Sequence, residues 1–140
     1  MSNTPLRLVL FDFDGTLCDS AATIIRLMKR ACAACDLPVP EDSFIRGNIG
    51  HGVSHAALAY ADGDPEKASQ LAETYRHIAR NEYLGGQPPL DPLFDGAKDI
   101  LCTLQSEGYL TGIITNKSRT GLNSLITRHD LDQQVDLTIS

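Results

Sequence analysis

The sequence predicts an α/β fold in which a parallel β-sheet carries a large helical insertion. Three short apolar runs, at residues 8–11, 110–114 and 135–139, have the length and the clear boundaries of buried strands. Helical patterns separate these runs, and strands that alternate with helices are typical of a parallel sheet. Between the first two runs, residues 20–93 are almost entirely helical in pattern.

The first strand is the run Leu8–Phe11, which leads directly into a pair of aspartates. A helix is expected from Ala21 to Cys35, because its apolar residues fall on one stripe. Asp19 and Ser20 precede it and are good N-cap residues, so we expect a capped start.

The helical stretch is divided by turns and prolines. Short helices are expected over Glu41–Arg46 and Val53–Tyr60, on either side of a glycine-rich turn at residues 46–52. Asp64 is expected to cap a long helix that has proline at its first position. The glycines and prolines of residues 85–93 end that helix, and this segment is the predicted module boundary.

The remaining residues return to the alternating pattern. A helix over Gly96–Ser106 leads into a second strand, Leu110–Ile114, and Gly108 between them suits a left-handed helix cap. A helix over Ser118–His129 and a third strand, Val135–Ile139, follow. The sequence therefore predicts a sheet of three strands.

The end of the first strand carries groups suited to chemistry. Side chains alternate along an extended segment, so Asp12 and Asp14 are expected to share one side. Acids that close repel each other unless a cation lies between them, and Mg²⁺ suits carboxylate and carbonyl oxygens. One such carboxylate can attack a phosphoryl group, while the second acts as general acid and then general base. Gly15 allows a tight turn where a ligand approaches.

Thr115 and Asn116 follow the second strand as Asp12 follows the first. Ligands collect beyond the C-terminal ends of parallel strands, where these groups would meet. A hydroxyl, an amide and a helix N-terminus can all donate hydrogen bonds to a phosphate. Taken alone, Ile-Thr-Asn-Lys is equally consistent with a strand-to-helix turn that a threonine caps.

The run FDFDGTLCDS resembles motif I of the haloacid-dehalogenase (HAD) superfamily, and ITNK resembles its motif II. The resemblance implies a Rossmann-like parallel sheet and Mg²⁺-dependent hydrolysis of a phosphomonoester. It implies that Asp12 is the nucleophile and that Asp14 is the general acid and base. It also implies that Asp12 and the Asp14 carbonyl bind Mg²⁺. The groups that would hold the phosphoryl oxygens are the main-chain N–H groups around Phe13 and Asp14, together with Thr115 and Asn116.

The helical stretch resembles the C1 cap that many HAD enzymes insert after motif I. The resemblance assigns residues 1–19 and 94–140 to the core and residues 20–93 to a cap that closes over the site and excludes water. As a whole, the pattern is similar to phosphoglycolate-phosphatase-like enzymes, which implies a small phosphorylated metabolite as substrate. Three residues of the glycine-rich turn would then face the active site: Arg46, Asn48 and His51.

The sequence departs from the HAD pattern in lacking the motif III lysine and the motif IV acids, which are expected beyond Ser140. Lys117 follows the second strand directly, so it is expected to contact substrate or to be solvated rather than to serve as the motif III lysine. The chain therefore resembles the front part of a longer enzyme, with little turnover expected by itself. As an alternative, the chain is expected to self-associate through the open edge of the first strand.

Other functions remain open on the sequence. A sugar-phosphate mutase of the same family keeps both acids, and a non-catalytic module that binds a phosphorylated metabolite would explain the absent motifs. A haloacid dehalogenase needs no second acid, so Asp14 argues against that activity. The absence of lysine from residues 46–52 argues against a phosphonatase.

Composition narrows the classes of partner. The 140 residues carry a formal net charge of −6 and a pI of about 5.0, which argues against nucleic acid or an anionic membrane. An apolar run of ~18 residues, as a membrane span requires, is absent, and the N-terminal run is too short for a signal peptide. A cytoplasmic location is predicted. Cys32 and Cys35 lie within a helix, where we expect packing rather than metal binding.

Overall fold

The computed structural model describes residues 5–140, so residues 1–4 of the predicted core segment lie outside the described part. The predicted α/β class is confirmed, with helices alone between the first two strands. Among residues 5–140, none of the helices combines the length and apolar character needed to cross a bilayer. The elements are β1 (Leu8–Phe11), α1 (Ala21–Ala34), α2 (Asp42–Gly47), α3 (Val53–Tyr60), α4 (Pro65–Leu84), α5 (Ala97–Ser106), β2 (Leu110–Ile114), α6 (Arg119–Arg128) and β3 (Leu137–Ile139).

The three strands form one parallel sheet in the order β1-β2-β3. Phe11 pairs with Ile113, which places the C-terminal ends of β1 and β2 side by side. Within residues 5–140, β1 pairs only with β2, so its other edge is open. β3 is shorter than predicted and begins at Leu137. Just before it, Asp136 binds Thr111 twice, since its carboxylate accepts the Thr111 N–H at 2.7 Å and its own N–H donates to the Thr111 carbonyl at 2.8 Å.

Buried side chains form two hydrophobic clusters, one among the helices α1–α4 and one against the sheet. Each fully buried leucine or isoleucine contributes about 1.5–3 kcal/mol relative to an exposed one. Helix α4 belongs to both clusters, because Leu71 near its start packs in the helical cluster and Tyr83 at its end packs in the sheet cluster. We call these parts the helical half and the sheet half, and α4 joins them.

The start of α4 follows the capping chemistry that the sequence predicts, whereas the start of α1 does not. Asp64 accepts two main-chain N–H groups at the start of α4. Ser20 occupies the N-cap position of α1, but its side chain makes no capping hydrogen bond. Its hydroxyl instead donates to Asp14 at 2.5 Å. The prediction of a side-chain cap at Ser20 is therefore wrong, because the hydroxyl is turned towards the Asp14 carboxylate and not towards the first N–H groups of α1.

Candidate active site

A cavity of about 400 Å³ lies where the C-terminal ends of β1 and β2 meet the helical half. Asp12 and Asp14 reach its wall from the end of β1, and Thr115 and Asn116 reach it from the end of β2. The parallel register explains this meeting, because adjacent strands end at the same edge of the sheet. The two groups of residues predicted from separate strand ends therefore share one cavity.

Asp12 is exposed at this cavity and accepts one hydrogen bond, from the main-chain N–H of Phe13 to Oδ1 at 2.7 Å. No other described residue donates to its carboxylate. The Phe13 N–H, which the sequence predicts as a phosphate ligand, thus holds the Asp12 side chain in this structure. Oδ2 of Asp12 is left free to approach a ligand in the cavity.

Asp14 is held from two sides. Its Oδ1 accepts hydrogen bonds from the Ser20 hydroxyl at 2.5 Å and from the Lys117 ammonium at 3.1 Å. The side chains of Lys117 and Asp14 are only 7% and 11% exposed, so water screens this ion pair weakly. Of the two outcomes expected from the sequence, solvation of Lys117 is therefore wrong. Its ammonium instead fixes the direction of the Asp14 carboxylate.

A buried network extends from Lys117 to the segment that follows α4. The ammonium lies 5.2 Å from the centre of the Tyr83 ring, within cation–π range. The Tyr83 hydroxyl donates to Asp91 Oδ2 at 3.4 Å, and the Thr23 hydroxyl donates to Asp91 Oδ1 at 2.6 Å. Burial, reinforced by the Asp91 charge, raises the pKa of Tyr83, so its hydroxyl stays protonated as a donor. This network links α1, α4 and the loop that precedes α6 beside the cavity.

Asn116 contacts the helical half. Its amide nitrogen donates to the carbonyl of Gly50 at 2.8 Å, whereas the sequence predicts a phosphate contact for this side chain. Gly52, with φ of +77°, lies so close that an added Cβ would stand 3.3 Å from the Asn116 amide carbon. The Thr115 hydroxyl oxygen accepts the Lys117 N–H at 3.1 Å, which leaves its hydrogen free to donate into the cavity.

The structure places one of the three predicted cap contacts in the cavity wall. Asn48 lines the cavity, although its amide donates to the Phe44 carbonyl at 2.9 Å. Arg46 and His51 are exposed and do not line it. The His51 ring instead packs edge-on against His55, with 5.7 Å between ring centres. Arg46 and His51 therefore lie outside the cavity wall, and their predicted contact with the substrate stays a prediction.

The Asp12 carboxylate and the Asp14 carbonyl are oxygen ligands of the type that Mg²⁺ prefers. Mg²⁺ keeps several waters and binds proteins through one or two carboxylates. The Asp12 carboxylate is open to the cavity, and no described residue donates a hydrogen bond to the Asp14 carbonyl. The Asp14 carboxylate is engaged by Lys117 and is the weaker ligand. Residues 5–140 contain no cluster of three or more His, Cys, Asp or Glu side chains that could hold a metal.

A family model described as haloacid dehalogenase-like hydrolase matches residues 9–140. The chain is 35% identical over 113 residues to the N-acetylmuramic acid 6-phosphate phosphatase of Pseudomonas putida, covering 80% of this chain and 49% of that protein. It is 25% identical over 130 residues to the phosphoglycolate phosphatase of Vibrio cholerae, covering 90% of this chain and 58% of that protein. The chain thus spans about half the length of these relatives.

The fold also matches solved structures. The crystal structure of a predicted phosphatase from Clostridium acetobutylicum superposes with a TM-score of 0.81 at 24% sequence identity. The match covers 96% of this chain and 61% of that one. At this identity the likeness concerns the fold, which it supports over nearly the whole chain.

Proposed function

Because the chain belongs to the haloacid dehalogenase-like hydrolase family, we propose that it carries the nucleophile of a Mg²⁺-dependent phosphomonoester hydrolase. One observation carries the proposal. Asp12 with a free carboxylate oxygen, Thr115 with a free hydroxyl hydrogen and the buried Asp14–Lys117 pair all line one cavity. The cavity thus brings together a nucleophile, a hydrogen-bond donor for the phosphate and an oriented acid.

In the proposed reaction, Asp12 Oδ2 attacks phosphorus and forms an aspartyl-phosphate as the bond to the leaving oxygen breaks. For this step Asp14 holds a proton on Oδ2, the oxygen to which no described residue donates a hydrogen bond, and it gives that proton to the leaving oxygen, so the product leaves as an alcohol. Asp14 then takes a proton from water, which attacks the aspartyl-phosphate and releases inorganic phosphate. Ser20 and Lys117 keep Asp14 in position through both steps.

The same cavity supplies groups for the phosphoryl oxygens. Thr115 donates its free hydroxyl hydrogen, and Asn116 donates once its amide leaves the Gly50 carbonyl. Asp12 and the Asp14 carbonyl would hold Mg²⁺, which when bound offsets the charge between carboxylate and phosphate. We propose as substrates the phosphomonoesters of small organic acids, with phosphoglycolate among them. The names of the two phosphatase relatives, a muramic acid and a glycolate, support this class.

Phosphate release by the full-length protein that the reading frame encodes tests the proposal. Asp12→Asn is expected to lower the rate of release from phosphoglycolate by at least about 10³-fold, because an amide is a poor nucleophile. Asp19→Asn, a change of the same kind at an exposed neighbour, serves as the matched control. Equal rates for Asp12→Asn and the wild type would contradict the proposal.

The same assay separates the alternatives. A mutase would transfer the phosphoryl group to a second sugar hydroxyl, and a non-catalytic module would bind without release. Assayed alone, the 140 residues are expected to release little phosphate, and sequencing beyond Ser140 tests for the motif III lysine and motif IV acids. The predicted cytoplasmic location and self-association through β1 stay predictions, which cell fractionation and light scattering test.

A further inference from the structure

One wall of the cavity is positively charged. Arg76 and Arg80 both line it from α4, and their spacing of four residues places them on one face of the helix. Tyr83, less than one helical turn beyond Arg80, contacts Lys117 beside Asp14. The two arginines therefore lie along α4 in the direction leading away from the proposed reaction centre.

A second pair of arginines with the same spacing shows what is unusual about this one. Arg26 and Arg30 on α1 both bind the carboxylate of Glu82, which offsets the repulsion between like charges one turn apart. Within residues 5–140, the single side-chain partner of Arg76 is the neutral hydroxyl of Ser54, at 2.6 Å. Arg80 forms no ion pair or side-chain hydrogen bond with any described residue.

The positions of the two arginines along α4 show the direction in which a ligand would extend from the reaction centre. With a rise of 1.5 Å per residue, the Cα of Arg80 lies about 4.5 Å and that of Arg76 about 10.5 Å along the axis from Tyr83. The cavity volume of about 400 Å³ is within the usual range for small-molecule sites. Apolar side chains complete the wall and suit the carbon body of a ligand: Ile24, Met28, Ile45, Val53, Ala56 and Tyr60.

We propose that Arg76 and Arg80 form a carboxylate-binding subsite, and that the substrate is a phosphorylated sugar acid. Its carboxylate would lie on the side of the cavity lined by Arg80 and Arg76, further along α4 from the reaction centre than the phosphate. A guanidinium presents two parallel N–H groups that match a carboxylate, so the subsite binds and orients the acid end. This inference rests on the proposed phosphatase function of the same cavity.

The test compares two phosphate esters of equal length that differ in one group. 6-Phosphogluconate ends in a carboxylate, whereas glucitol 6-phosphate ends in a neutral alcohol. With the full-length protein and Mg²⁺, kcat/KM is expected to be about 10–100-fold higher for the acid, the usual value of a charged hydrogen bond. Arg76→Ala with Arg80→Ala is expected to bring this ratio close to one, mainly by raising KM for the acid.

Two further variants separate recognition from folding. Arg80→Lys keeps the charge but loses the paired N–H groups, so an intermediate ratio is expected. Lys67→Ala removes an exposed positive charge from the same helix, outside the cavity, and should leave the ratio unchanged. If circular dichroism shows that the double variant is unfolded, the subsite is tested by Arg80→Lys alone. A ratio of kcat/KM values between acid and alcohol equal to that of the wild type would then overturn it.

The outcomes distinguish this inference from the function on which it rests. A wild-type ratio near one, or a ratio that the arginine variants do not lower, overturns the subsite while phosphatase activity stands. Equal losses for both esters indicate a structural role and also overturn it. If the wild type hydrolyses neither ester and Asp12→Asn changes nothing with phosphoglycolate, the proposed function fails and the subsite fails with it.

Discussion

The sheet half and the helical half hold their charges in different surroundings. The pair Lys117–Asp14 in the sheet half is 7% and 11% exposed, whereas the pair Lys29–Asp42 in the helical half is 39% and 64% exposed. A buried pair is fixed in geometry, while an exposed pair is screened and loosely held. The difference shows that the sheet half holds this ion pair at the cavity in a fixed geometry, whereas the pair in the helical half lies outside the cavity wall and in contact with water.

Removing the cation from each pair should give the largest contrast. Lys117→Met leaves the Asp14 carboxylate buried without its partner, and we expect the free energy of unfolding to fall by about 3–5 kcal/mol. Lys29→Met removes the exposed cation, and a loss below about 1 kcal/mol is expected. Urea denaturation measures both. Similar losses for the two variants would remove the distinction between the halves.

Alkaline pH should destabilise both halves, because each contains buried groups whose pKa is raised. Burial, with the Asp91 charge, raises the pKa of Cys18 in the sheet half from 9.0 to about 12. Burial also raises the pKa of Tyr60 in the helical half from 10.0 to about 12. Between these values the unfolded chain loses a proton that the folded chain keeps. Stability is therefore complete below pH 9 and falls as the pH rises towards 12, by up to about 1.4 kcal/mol per pH unit for each group.

Single substitutions separate the contributions of Cys18 and Tyr60 to the loss of stability at alkaline pH. Cys18→Ala should make the decline between pH 9 and 10 shallower, because Cys32, whose pKa burial also raises, accounts for the rest. Tyr60→Phe should make the decline above pH 10 shallower. Cys102→Ala, at an exposed thiol, is the control and should leave the pH profile unchanged. Thermal unfolding across this pH range gives the slopes. A wild-type profile that stays flat from pH 9 to 12 would show that burial of these groups is not maintained.

The smallest expected effect concerns the contact between the halves. Gly52 and Gly63 have φ of +77° and +79°, so alanine at either should cost about 1–2 kcal/mol in backbone strain. Only at Gly52 would the new Cβ meet Asn116; at Gly63 it meets nothing within 4 Å. The two variants should therefore have similar stability, while the KM of Gly52→Ala should be several-fold higher than that of Gly63→Ala. Equal KM values would show that this contact does not shape the site.

The strand ends could be predicted from sequence because the rules involved are local. An apolar run ending in Asp12 and another ending in Thr115 must meet at one edge once both strands lie in a parallel sheet. The capping of α4 by Asp64 likewise depends only on the next few residues.

The remaining contacts could not be predicted because they depend on how distant segments pack. Lys117 meets Asp14 across 103 residues, and no periodicity reports which way its side chain turns. Asp91 lies in a segment that reads as a linker, yet it accepts hydrogen bonds from Thr23 and Tyr83. Arg76 lines the cavity because of how the helical half packs against the sheet half, and helical spacing alone does not predict this packing.

Acid quenching during turnover tests the central claim most directly. The full-length protein, mixed with phosphoglycolate and Mg²⁺, is stopped in acid at successive times and digested, and the peptides are weighed by mass spectrometry. We expect one phosphoryl group on the peptide that contains Asp12, appearing before phosphate release reaches its steady rate and absent in Asp12→Asn. Steady phosphate release with that peptide unmodified at every time, or with the phosphoryl group on another peptide, would contradict the account.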